Sequence, residues 1–90
     1  MNLVDLVSQI EMLDEDLTIY ARAPWQPDSE AICAQEPTGS LVPADLASSG
    51  FSYFLEVFIA REFLEDLSSS GELSIEKQCV RLIQYAVNDA

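Results

Sequence analysis

The stretch Phe51-Ser52-Tyr53-Phe54-Leu55-Glu56-Val57-Phe58-Ile59-Ala60-Arg61-Glu62-Phe63-Leu64-Glu65-Asp66-Leu67 changes period in its middle, and that change decides the fold. In its first half Phe51, Tyr53, Leu55 and Val57 alternate with Ser52, Phe54, Glu56 and Phe58, the period of a β-strand. From Ile59 the rule changes. Wound at ~100° per residue, Ile59, Ala60, Phe63, Leu64 and Leu67 share one arc, and Arg61, Glu62, Glu65 and Asp66 the opposite one. One helix through the whole stretch would turn Phe51, Phe54, Leu55 and Phe58 onto the charged side. A central strand Phe51–Phe58 running straight into an amphipathic helix Ile59–Ser68 removes that conflict.

The flanking segments supply partners. Asn2–Leu13 reads as a helix with Leu3, Val4, Leu6, Val7, Ile10 and Leu13 on one face. Leu17–Ala23 alternates as a strand, and a stiff loop, Pro24–Ser29, interrupts it. Glu30–Glu36 fits either a returning strand or a helix capped by Asp28 or Ser29. The loop length favours the strand. Pro37-Thr38-Gly39-Ser40 ends it. Pro43–Ser49 reads as a short helix closed by Gly50. Ser68–Gly71 is a stop, and Ser74 caps a final helix, Ile75–Val87, apolar over more than half its circumference. These elements predict a small single-domain α+β sandwich. Its three-stranded, mainly antiparallel sheet carries three main helices, in the order α-β-β-α(short)-β-α-α.

Ninety residues, 49% of them apolar, suffice for one compact core. Two cysteines, Cys33 and Cys79, are too few for a disulfide scaffold and suit buried thiols in a reducing compartment. The segment Met1–Leu13 lacks the basic start and apolar run of a signal peptide, and no stretch approaches a membrane span. A cytoplasmic location is the expectation. Sixteen acids against four bases give a net charge of −12. Such a field repels nucleic acid and anionic membrane and speeds encounter with basic protein surfaces.

The absence of histidine removes Ser-His and Cys-His pairs, imidazole bases and imidazole ligands together. Cys33 and Cys79, 46 positions apart, do not make a zinc site, and Asp14-Glu15-Asp16 lacks the spacing of a calcium loop. Neither a cofactor nor a metal is expected. The remaining catalytic resource is paired carboxylates: Glu62 with Glu65 or Asp66, and Glu56 between Phe54 and Phe58. Arg61 and Glu65, four apart, make an ordinary surface pair.

The run Thr18-Ile19-Tyr20-Ala21, with Pro24-Trp25, Ser29-Glu30-Ala31 and Tyr53-Phe54-Leu55-Glu56-Val57, resembles a family of small uncharacterised bacterial proteins over about half the chain. That resemblance implies no activity. In size and charge the chain is also similar to the small acidic immunity proteins that neutralise bacterial toxins.

The expected function is a non-enzymatic protein–protein interaction module, an inhibitor, immunity-like or accessory factor, that binds a basic protein. The alternative is a small hydrolase or lyase using carboxylates or a divalent metal. The expected partner-binding residues are Asp14, Glu15, Asp16, Trp25 and Asp28, with the acidic turn for steering and Trp25 as anchor. The chain is expected to be a monomer or a weak homodimer through Ile75–Val87.

Overall fold

The computed structural model describes residues 1–37, 42–69, 71 and 73–89. Helix α1 (Leu3–Ser8) leads through a 3-10 turn (Ile10–Met12) to strand β1 (Thr18–Arg22). Strand β2 (Ala31–Ala34) and the short helix α2 (Ala44–Ser48) follow. Strand β3 (Phe51–Glu56), helix α3 (Val57–Ser69) and helix α4 (Ile75–Asp89) complete the chain. The element order and the α+β class are those expected. The turn expected at Pro37–Ser40 and the stop at Ser68–Gly71 fall partly outside the described residues.

The sheet order is β2-β1-β3, antiparallel throughout. The central strand is therefore β1, and the expectation that Phe51–Phe58 is central is corrected: β3 is an edge. The physical reason lies in connectivity. The β1–β2 hairpin occupies one side of β1, so β3, arriving later, can pair only with its other side.

The strand-to-helix change occurs as expected, but two residues earlier, at Val57. A bulge obscures the alternation that misplaced it. Ile19 faces Leu55 while Tyr20 faces Tyr53, so Phe54 is an extra residue in β3. Phe54 and its neighbour Leu55 are consequently both buried in the core. Val57, which alternation assigned to the strand, is fully buried as the first residue of α3.

Register pairing assigns the two faces of the sheet. Ile19, Ala21, Ala31 and Leu55 join Leu3, Leu6, Val7 and Ile10, Ala60 and Leu64 of α3, and Cys79, Leu82 and Ala86 of α4 in one apolar cluster. On the opposite face the Tyr20 and Tyr53 rings meet edge to face at 6.4 Å, and the Arg22 guanidinium lies 4.9 Å from the Phe51 ring centre. Tyr20 is fully buried there.

The first helix is shorter than the Asn2–Leu13 expected. Asn2 is its cap, accepting from the Asp5 backbone N–H at 2.9 Å, and the α-helix stops at Ser8 before the 3-10 turn. Met1–Val4 is tied to the β1–β2 loop by Leu3 N–H to Ser29 O and Val4 N–H to Pro27 O, both 2.9 Å, and to the start of β2 by Ala31 N–H to Met1 O at 2.8 Å. Ser74 caps α4 as expected, accepting from the Lys77 N–H at 3.2 Å.

Candidate functional site

The junction of β3 and α3 builds the site. The Val57 N–H donates to Leu17 O at 3.0 Å, locking the start of α3 onto the entry to β1. With Val57 buried, the helical turn swings Phe58 outward, where it is 44% exposed. Counted from Val57 at ~100° per residue, Phe58 falls between Glu65 and Glu62 on the outer arc of α3.

Two open depressions meet at Phe58. One, of about 420 Å³, is lined by Glu15, Asp16, Phe58, Arg61, Glu62 and Glu65. The other, of about 210 Å³, is lined by Glu15, Asp16, Leu17, Thr18, Glu36, Glu56 and Phe58. Phe58, Glu15 and Asp16 are common to both and form a saddle. Each depression thus holds four carboxylates, and only the first contains a base. Glu36 reaches the second from beyond the end of β2, and its charge, after burial, helps raise the Tyr20 hydroxyl above the usual tyrosine range.

Arg61 anchors the floor of the first depression. Its Nη2 donates to Ile10 O at 3.0 Å and also to Leu13 O, carbonyls of the turn that follows α1. Its Nε lies 3.8 Å from Glu11 and its Nη1 3.6 Å from Glu15. The side chain is only 19% exposed, so Arg61 is no surface partner of Glu65. That expectation is corrected: the helix spacing was right, but the turn's carbonyls draw the guanidinium inward. Glu65 instead faces Glu11, whose hydrogen bond and charge hold the Glu65 carboxyl above the ordinary range, against the opposing pull of Arg61.

The turn Asp14–Asp16 is closed by Asp14, whose carboxylate accepts from Asp16 N–H at 2.9 Å and whose carbonyl accepts from Leu17 N–H at 3.1 Å. It follows the C-terminal end of the first helical segment, where acids oppose the helix dipole. The structure puts Glu15 and Asp16 beside the first turns of α3, where negative charge complements the helix dipole.

Trp25 and Asp28 lie beyond the other end of β1. The Trp25 ring packs edge to face on Phe54 at 4.8 Å, its Nε1–H donates to Ala21 O at 3.4 Å, and it is half-buried against the core. Asp28 is exposed beside Val4, Pro27 and Glu76. The structure therefore brings Glu15 and Asp16 together with Glu36, Glu56, Glu62, Glu65 and Phe58, and not with Trp25 or Asp28.

Sequence reasoning missed Phe58 because the strand reading extended over it. Helical winding begun at Val57 rather than Ile59 would have shown an apolar ring alone on an acidic arc. Glu56 does not lie between Phe54 and Phe58 on one strand face, as the bulge and the helix start separate all three. It faces Thr18 across the ladder. Among the described residues no group of three or more Asp, Glu and Cys could hold a metal ion, and no helix is long and apolar enough to cross a membrane. No family model, curated protein or solved structure matches the chain.

Proposed function

We propose that this chain is a non-enzymatic interaction module that binds a basic protein through the Phe58 saddle, acting as an inhibitor, an immunity-like factor or an accessory subunit. The observation that carries the reading is an exposed aromatic side chain ringed by six carboxylates, Glu15, Asp16, Glu36, Glu56, Glu62 and Glu65. An exposed apolar ring alone is unexceptional. Set among acids, it offers a desolvatable anchor inside a field that draws lysine and arginine side chains, whose aliphatic stems can lie against the ring. The second depression, which holds no base, is the stronger seat for a cation. The field of a −12 chain steers such a partner from a distance. A cytoplasmic setting fits this role.

The test is capture from the source cell with the wild-type chain beside two variants, Phe58→Ser and Glu36→Gln/Glu56→Gln. A basic protein retained by the wild type and lost from both variants supports the saddle. Equal retention by all three, or loss on Trp25→Ala in a folded chain, moves the site elsewhere.

A further inference from the structure

The sheet has two edges, and they differ. On β3 the extra residue Phe54 bulges the strand, and α2 contacts it. On β2 the register to β1 is regular, and Ala31-Ile32-Cys33-Ala34 carries no charge, proline or bulge of the kind that guards an edge. The Arg22 N–H donates to Glu30 O at 3.0 Å. Glu30, Ile32 and Ala34 therefore turn their backbone groups toward β1, and Ala31 and Cys33 turn theirs outward. The first part of that outward side is taken. Ala31 N–H donates to Met1 O at 2.8 Å, and Asn2 pairs antiparallel with Glu30, so Met1–Asn2 lies where a fourth strand would. Beyond it, among the described residues, nothing bonds the Cys33 N–H or carbonyl.

This open part of the edge leads to the saddle. Ile32 and Ala34 share the Tyr20 face of the sheet, and Ile32 is 40% exposed. Two residues on, Glu36 lines the second depression with Thr18 and Glu56. An antiparallel strand in line with Met1–Asn2 lies opposite residues 32–36, a span of about 17 Å. Its residue opposite Cys33 exchanges two main-chain hydrogen bonds with it. Its side chains opposite Ile32, Ala34 and Glu36 fall on the Tyr20 face. An apolar residue suits exposed Ile32. Bases suit the other two positions: one meets Glu36, and small Ala34 leaves the stem of the other a path toward the depression. A second copy does not suit this edge. Pairing β2 on β2 antiparallel about Cys33 sets Glu30 opposite Glu36 twice, between molecules of charge −12.

We infer, on the basis of the saddle as the seat for basic side chains, that the partner presents an extended segment with lysine or arginine at alternate positions, which adds to the open edge of β2 as a fourth antiparallel strand and sends its bases toward the second depression. Main-chain bonds to Cys33 hold the segment whatever its sequence, and the carboxylates select its charge. Strand edge and saddle form one surface, so neither holds the partner alone.

The probe is the peptide acetyl-Lys-Thr-Lys-Thr-Val-amide, whose residues meet Glu36, Gln35, Ala34, Cys33 and Ile32 in turn. Beside it runs the same peptide N-methylated at its second threonine. The methyl group removes the N–H aimed at the Cys33 carbonyl and leaves the charge unchanged. Titration calorimetry and amide hydrogen exchange of the ¹⁵N-labelled chain read both. The expected result is a Cys33 amide slowed about 10-fold at peptide ten times its dissociation constant. Binding should weaken about 10-fold or more on methylation, and also on Glu36→Gln/Glu56→Gln. Equal binding of the two peptides overturns the added strand and leaves the saddle standing. Loss on methylation with no response to Glu36→Gln/Glu56→Gln supports the strand and overturns the saddle. A Cys33 amide that stays fast with peptide bound overturns the inference. So does one slowed by protein concentration alone, which puts a second copy on the edge.

Discussion

Replacing Arg61 by methionine should be the most destabilising single change outside the apolar core. The side chain is 19% exposed and donates to two carbonyls, Ile10 O and Leu13 O. Hydrogen bonds from a charged donor contribute about 1.5–3 kcal/mol each, and an orphaned buried carbonyl costs about 1–3 kcal/mol. Water reaching the turn recovers part of that loss. The two ion pairs add little, about 0–1 kcal/mol each, because Glu11 and Glu15 are 63% and 66% exposed. Methionine keeps most of the aliphatic packing. The sum is a loss of about 2–4 kcal/mol, a large part of a small domain's ~5–15 kcal/mol. For a chain of this size that is a fall in Tm of roughly 10–25 °C. Urea denaturation and thermal melts of the wild type, Arg61→Met and Glu11→Gln measure it. The reasoning is refuted if Arg61→Met costs under about 0.5 kcal/mol, or if Glu11→Gln costs as much as Arg61→Met, since ion pairing would then outweigh the carbonyl bonds.

Further outcomes follow from the packing. Trp25→Ala should lower stability by about 2–3 kcal/mol through its lost contact with Phe54, while leaving capture of a basic partner intact; chemical denaturation and capture run in parallel check both. The Glu65 carboxyl is raised by Glu11, so its contribution to stability is full below the ordinary glutamate range and is lost as pH rises through its raised value. Glu65→Gln should therefore flatten the stability profile across mildly acid pH; a profile identical to wild type would show that Glu11 and Glu65 do not interact. Cys79 is buried with its thiol pushed up to about 11, so it should react with a thiol reagent only as fast as the chain unfolds, whereas half-buried Cys33 should react first. Mass spectrometry of partly labelled protein checks that order.

Much of this fold was legible in the residues. The change of period within Phe51–Leu67 foretold a strand running into a helix, because the two apolar patterns cannot share one helical face. Residues 31–34, open to two readings, resolved to a strand because the loop before them is short enough for a hairpin. What escaped was long-range. Nothing near Phe54 signals a bulge, which exists only relative to Ile19 and Tyr20 across the ladder. Arg61 sat on a charged helical arc, and only the fold places carbonyls 48 and 51 residues away within its reach. The saddle was half visible. Glu15 and Asp16 are legible as part of an acidic turn suited to steering a partner, but their companions Glu36, Glu56, Glu62 and Glu65 converge only when three strand ends and α3 meet. Trp25 is legible as a candidate anchor, and only the fold sets its ring edge to face on Phe54.

The central claim, that the Phe58 saddle receives basic side chains, can be tested without knowing the natural partner. A ¹⁵N-labelled sample titrated with a short peptide carrying one leucine flanked by lysines on both sides reads every backbone amide at once. The account predicts saturable shifts confined to residues 15–18, 36 and 56–65, weakened about 10-fold or more by Phe58→Ala and by added salt. Shifts spread over all the exposed acids alike, or centred on Trp25 and Asp28, would contradict it.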